Sequence, residues 1–266
     1  MTSLDSGATA ALRSAEVPAE VRTAIVTGSA SGIGAATVLE LARQGYRTLG
    51  IDINAAGAQA VAVEAAAINH LTHSSLHADV ADEAQIVAAF EQARAFLGGL
   101  DVLVTCAGVG ETTPFMELTV ATFRSVYEAN VIGTFLCIRE AARLMPRGGR
   151  ICTIASVAGL RGGGLSGTAA YAASKGGVLA LTKSAARSLA AQGISVNTVA
   201  PGATLTPMIA EHWKNDAHRT RVESMSVLNR TAQASEIASS IVFLVSPQAA
   251  AITGSTLVAD NGLMMY

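Results

Sequence analysis

Short apolar runs recur along the chain, separated by longer stretches in which apolar residues fall three and four apart. The runs lie near residues 23–27, 47–52, 74–78, 100–104, 150–155, 194–199 and 255–259. A brief, nearly unbroken apolar run suits a strand buried on both faces, and the intervening spacing suits helices. Their alternation predicts an α/β fold, a doubly wound parallel sheet of seven strands with right-handed crossovers and helices on both faces. Two helices are explicit in the sequence: Ala35–Gln44, closed by Gly45, and Ala169–Ala190, rich in Ala and Leu and free of proline. Asp52, Asp79, Cys106, Ser156 and Pro201 each fall at the C-terminal end of a run. That edge is where open α/β sheets bind ligands. No internal repeat or linker divides the chain, so one domain is expected over 21–266. Residues 1–20, a mixture of Ala, Ser, Glu and Pro, read as a loose, flexible extension.

Composition bounds this picture without changing it. A 266-residue chain that is 50% hydrophobic can bury one large core. A net charge of −2 offers nucleic acid or an anionic membrane no basic surface, so neither is expected as a partner. Three widely spaced cysteines, Cys106, Cys137 and Cys152, read as reduced and buried thiols, not as a disulfide framework. The first twenty residues contain no apolar core of the kind a secretory signal needs. The uncharged stretch Ile237–Ala259 is long enough to raise a membrane span. Its Pro247, its serines and the Thr253-Gly254-Ser255 step fit helix, turn and terminal strand better. A soluble, cytoplasmic protein is the expectation.

Three features carry chemistry. The run Thr27-Gly28-Ser29-Ala30-Ser31-Gly32-Ile33-Gly34 joins a predicted strand to a predicted helix. Glycines there let the backbone turn tightly and approach a pyrophosphate, whose charge sits at the helix N-terminus. The spacing is Gly-x3-Gly-x-Gly, and a purely structural turn is the alternative. Asp52 ends the next run, at the separation where an acidic side chain meets an adenosine ribose. A carboxylate there accepts from ribose hydroxyls and repels a 2′-phosphate. Neither Ile53 nor Asn54 nor Ser31 brings a compensating cation, so NAD is favoured over NADP. Finally, Tyr171 and Lys175 lie one turn apart on one helix face. A free phenol titrates near ~10, and a neighbouring cation lowers that value. Reaching neutrality takes about three units, roughly 4 kcal/mol of differential stabilisation.

In these motifs the chain resembles the short-chain dehydrogenase/reductase family, in its short Rossmann-fold branch. The matching segments run from Thr27 to Gly262 and include Thr-Gly-x3-Gly-x-Gly and Tyr-x3-Lys. The resemblance implies catalytic roles for Asn130, Ser156, Tyr171 and Lys175. It implies cofactor contacts from Gly28, Ser31, Gly32, Ile33 and Gly34 in the loop, and from Asp52, Asp79 and Val80 at the adenosine side. Cys106, Ala107 and Gly108 follow, then Tyr171 and Lys175, and Pro201, Gly202, Thr204 and Thr206 around the nicotinamide. A small-molecule alcohol or ketone is the implied partner, a homotetramer the implied assembly, and the segment from about 204 to 230 the implied cover of the substrate. Ala172, Ala173, Gly176, Gly177 and Ala180 would either permit close contact between subunits or serve internal packing.

Three departures stand out. Thr105-Cys106-Ala107-Gly108 replaces the usual Asn-Asn-Ala-Gly; Thr105 is expected still to form a hydrogen bond and Cys106 to offer its backbone. The stretch between Ser156 and Tyr171 is longer than usual and carries Gly162-Gly163-Gly164. Asp260-Asn261-Gly262 stands for Asp-Gly-Gly. Within the covering segment, Trp213 is either an apolar wall over the substrate or a core contact. His212, Lys214, His218, Arg219 and Arg221 supply polarity but no dense basic cluster. His70, His73 and His77 are loosely metal-like in spacing. The resemblance places them far from the chemistry, and no metal is expected. The leading expectation is an NAD-dependent dehydrogenase of secondary alcohols, with diols, polyols or cyclic alcohols as substrates. A 3-oxoacyl-thioester reductase using NADPH is the second reading, and an idle NAD(H)-binding protein the third.

Overall fold

The computed structural model describes residues 21–163 and 169–265, without the side chains of residues 211 and 212. The expected extension over 1–20, Gly164 and the His212 side chain lie outside the described residues. Chain order is β1 (Thr23–Thr27), α1 (Gly32–Arg43), β2 (Arg47–Asp52), α2 (Ala55–Asn69), β3 (Ser74–His77), α3 (Glu83–Leu97), β4 (Val102–Thr105), α4 (Val120–Tyr127), α5 (Gly133–Leu144) and β5 (Arg150–Ile154). Then come α6 (Val157–Arg161), α7 (Ala169–Leu189), β6 (Ser195–Pro201), β7 (Thr204–Leu205), α8 (Pro207–Trp213), α9 (Asp216–Glu223), β8 (Ala232–Gln233), α10 (Ala234–Leu244) and β9 (Thr256–Ala259).

Seven strands form one parallel sheet in the order β3-β2-β1-β4-β5-β6-β9, as the alternating pattern predicts. β7 and β8 pair separately. One apolar layer gathers Leu103, Ile151, Phe90, Phe96 and Leu136. The other gathers Val26, Val104, Val38, Leu41 and Ile241. Consecutive β-α units run outward in both directions from the β1/β4 junction, which opens a crevice at the strand C-termini there.

The three histidines have separate duties. His70 caps α2 in the left-handed region at φ 61°. His73 is buried, with Nδ1 2.7 Å from the Thr48 hydroxyl and Nε2 2.9 Å from Asn69 Oδ1. His77 ends β3, exposed. Among the described residues no group of His, Cys, Asp or Glu could hold a metal ion. The uncharged C-terminal stretch resolves into α10, a proline-led turn and β9. No helix among the described residues is long and apolar enough to cross a membrane.

Candidate active site

The glycine loop is built for close approach. Gly28 has φ +68°, and a Cβ on it would lie 2.6 Å from the Ala107 backbone nitrogen. A Cβ on Gly34 would lie 2.0 Å from the Gly28 carbonyl oxygen. The loop therefore sits backbone-to-backbone on the end of β4, and the start of α1 faces an open cleft. That cleft is lined by Gly28, Ser31, Gly32, Ile33 and Gly34, by Asp52, Asp79 and Val80, and by Cys106, Ala107 and Gly108. Ser156, Tyr171, Lys175, Pro201, Gly202, Thr204 and Thr206 complete the set named from sequence. Asn130 alone stands behind the wall, fully buried.

The residues present fit a nicotinamide dinucleotide. Side chains at Gly28 and Gly34 would fill the cradle. At the far end Asp52 accepts the Ala30 N–H at 2.9 Å through Oδ2 and the Asn54 N–H at 2.8 Å through Oδ1. Each oxygen keeps a lone pair for a ribose hydroxyl. Among the described lining residues the one cation is Lys175, beside Tyr171 and Ser156 at the opposite, catalytic end.

There α7 sets Tyr171 and Lys175 one turn apart, with Nζ 5.8 Å from the phenol ring centroid. Nζ donates to the Ile154 carbonyl at 2.8 Å. Ser156, two residues beyond β5, is the N-cap of α6, its Oγ accepting from the Ala158 N–H at 3.1 Å. The same hydroxyl hydrogen-bonds the Tyr171 phenol. Gly159 makes this possible, since a Cβ on it would lie 2.6 Å from the Gly176 nitrogen. Gly177 likewise packs inward, against Val131 and Tyr127, so these two glycines serve internal packing.

Asn130 sits in a π-helical turn, Glu128–Ile132, between α4 and α5. Single π turns widen a helix and are frequent at functional sites. Its Oδ1 accepts the Val109 N–H at 2.8 Å, and Nδ2 donates to the Val109 carbonyl at 3.0 Å and to Ser174 Oγ at 2.9 Å. Both donor hydrogens of the amide are thus committed to clamping the loop after β4, at Val109, onto α7. Gly108 fits between, where a Cβ would lie 2.9 Å from Asn130 Oδ1 and 3.5 Å from Lys175 Nζ.

Electrostatics correct one expectation. Burial pushes the Tyr171 phenol above its usual value, and the Ser156 hydrogen bond offsets this only in part. Burial also penalises the charge of Lys175 and pushes it down to about 8, which leaves it charged beside the phenol at neutral pH. A second correction concerns Thr105. It has the hydroxyl to bond, but Oγ1 is buried with no hydrogen-bond partner among the described residues. Neighbouring strand atoms already satisfy one another there: Thr27 Oγ1 takes the Ala107 N–H, and Thr153 pairs with Thr182. Cys106 lines the cleft, its thiol hydrogen-bonded to Thr37 and pushed by burial to about 12. None of the three cysteines is in a disulfide.

Trp213 is a core contact. Its Nε1 donates to Thr231 Oγ1 at 3.0 Å, Thr231 Oγ1 donates to Glu223 Oε1 at 2.8 Å, and the indole meets His218 edge-on at 5.9 Å. Arg219 is paired with Asp216 at 2.8 Å. Val109, Pro207, Met208 and Ile209 also line the cleft, and sequence reasoning did not single them out. Their signal was only their place beside the glycine-ended strand and in the covering segment.

Residues 28–264 match the family model described as enoyl-(acyl carrier protein) reductase. The chain belongs to the short-chain dehydrogenase/reductase family. It is 40% identical to cis-4-hydroxycyclohexanecarboxylate dehydrogenase of Sinomonas cyclohexanicum, over 91% of this chain and 96% of that one. It is 37% identical to D-threitol dehydrogenase of Mycolicibacterium smegmatis, over 91% and 92%. It is 35% identical to the 3-oxoacyl-(acyl-carrier-protein) reductase FabG of Staphylococcus aureus, over 92% and 98%. A solved short-chain dehydrogenase/reductase of Brucella melitensis, titled glucose/ribitol dehydrogenase, superposes with a TM-score of 0.86 at 31% identity, covering 92% and 97%. As a family member this chain is an oxidoreductase that works with a nicotinamide cofactor.

Proposed function

We propose that this protein is an NAD(H)-dependent oxidoreductase that interconverts a secondary alcohol and its ketone, acting on a diol, polyol or cyclic alcohol. The observation that carries the cofactor choice is the Asp52 carboxylate at the adenosine end, with no cation among the described residues lining that end. The relatives named for a cyclic hydroxy acid and for a polyol support the substrate class.

The bound cofactor supplies a hydride acceptor and, when oxidised, a positive charge close to Tyr171. The chain's residues handle the proton and the oxygen. Tyr171, deprotonated, takes the hydroxyl proton as general base. Ser156, already bonded to the phenol, donates to the substrate oxygen and stabilises the negative charge developing there. Lys175, held by Ile154, places a cation beside the phenol and would hold the nicotinamide ribose. Asn130 is a positioning residue: it fixes Val109 and Ser174 and keeps Gly108 against Lys175. The loop glycines, with Ser31 and Ile33, would hold the pyrophosphate, and Pro201, Gly202, Thr204 and Thr206 would border the nicotinamide. For assembly we propose a homotetramer that covers the exposed apolar residues Phe123 and Tyr127 of α4, Ile132 of the π turn and Phe135 of α5.

A second reading, a 3-oxoacyl-thioester reductase using NADPH, is favoured by the likeness to the FabG protein and by the family model's description. The deciding experiment follows reduced-cofactor formation from NAD and from NADP across secondary alcohols and 3-hydroxyacyl thioesters, with Tyr171→Phe as the blank. Turnover of one alcohol class with NAD supports the proposal. Preference for NADP and thioesters replaces it with the second reading, and full activity in Tyr171→Phe refutes the acid/base role.

A further inference from the structure

The two walls of the cleft beyond Tyr171 differ in kind. One is the loop after β4 at Val109, whose backbone N–H and C=O are both held by the Asn130 amide at 2.8 and 3.0 Å. Gly110 follows it directly and offers no side chain. The other wall is the start of α8, which reaches across the cleft from two contacts. A Cβ on Gly32 would lie 3.2 Å from Thr206 Cγ2 and 3.7 Å from Pro207 Cδ, so this segment rests on the glycine loop. Two residues on, Met208 faces the other side: a Cβ on Gly110 would lie 3.4 Å from its Sδ and 3.5 Å from its Cγ. Met208 lines the cleft and is about half exposed. Its unbranched thioether has three rotatable bonds and yields to what touches it.

We infer that Met208, closing against the bare backbone of Gly110, is the size gate for the apolar substituent on the reacting carbon. This rests on the proposed carbonyl–alcohol chemistry and narrows its substrate. Asn130 holds both backbone groups of Val109, so among the described residues space for a larger group comes from the Met208 side. Val109, Pro207, Met208 and Ile209 carry no charge, so the gate admits a compact apolar or ring substituent and gives a charged group no partner among these four residues. Gly110 is outside the positive-φ set, so a side chain there is sterically limited by Met208 and not by the backbone.

The test compares kcat/KM for a small and a bulky member of one series, such as an acyclic and a fused-ring secondary alcohol. Met208→Ala should raise the bulky-to-small ratio about tenfold or more, and Gly110→Val should lower it by a similar factor, as expected where a few methylenes decide the fit. Cofactor affinity, measured by NADH fluorescence, should stay at the wild-type value in both. Gly110→Val keeps the question answerable where Met208→Ala does not fold. A ratio unchanged in either folded variant, or moved in the same direction by both, overturns the gate. If wild type turns over only 3-oxoacyl thioesters with NADPH, the alcohol reading fails while the gate is read on thioesters of graded branching. If wild type is inactive on both series, gate and chemistry fall together.

Discussion

Lys175 is the group whose function and stability are most directly opposed. It is 6% exposed, its Nζ bonds the Ile154 carbonyl at 2.8 Å, and burial pushes it from 10.5 down to about 8. At neutral pH it is charged in both folded and unfolded chains. The folded state therefore carries the penalty of a 2.5-unit depression, about 3 kcal/mol at 1.36 kcal/mol per unit. Lys175→Met keeps the length of the side chain and removes the charge. It also loses one hydrogen bond, about 1 kcal/mol. The variant should be about 2 kcal/mol more stable than wild type at pH 7, with turnover abolished. The pH dependence carries the proof. Between pH 8 and 10.5 the unfolded chain holds the proton and the folded chain has released it, so wild type gains stability as pH rises. The advantage of Lys175→Met should shrink across that window and be gone by about pH 10. Urea denaturation without cofactor at both pH values, together with assays of turnover, measures this. A variant no more stable than wild type at pH 7, or an advantage equal at pH 7 and 10, refutes the reasoning.

Gly34→Ala puts a methyl 2.0 Å from the Gly28 carbonyl oxygen, so the loop must shift; cofactor affinity should fall at least about tenfold while the circular dichroism of the fold persists. An unchanged NADH titration would show that this turn does not hold the cofactor. Thr105→Val removes a buried hydroxyl that has no partner among the described residues and should leave stability equal or raise it by about 1 kcal/mol; a clear loss would reveal a partner for it. His73 is pushed by burial, and by the nearby Arg47, from 6.5 to about 4. It is neutral in the folded chain and protonated in the unfolded one between those values. Stability should therefore fall by up to about 3 kcal/mol as pH drops through that window. His73→Gln should flatten that slope in urea titrations, and an equally steep slope would place the acid sensitivity elsewhere.

What could be read from the chain and what could not divide along a physical line. Strand positions, the glycine loop, Asp52 and the Tyr171/Lys175 pair are local patterns, and each rests on spacing within a few residues. Even Gly28 and Gly34, whose partners lie elsewhere, are legible, because a missing side chain leaves its mark in the sequence. The Asn130 clamp was out of reach: its partners Val109 and Ser174 come from separate elements, and the π turn that aims it has no local signature. The same holds for Thr105, where the residue type promises a hydrogen bond and only the neighbours decide whether one forms. The phenol makes the point most sharply. One turn of helix says that a cation stands beside it, yet the depth of burial, set by the whole fold, raises its pKa and lowers that of Lys175. Ser156 and the charge of a bound oxidised cofactor would add to Lys175 in favouring the phenolate, which ties proton removal to a loaded site.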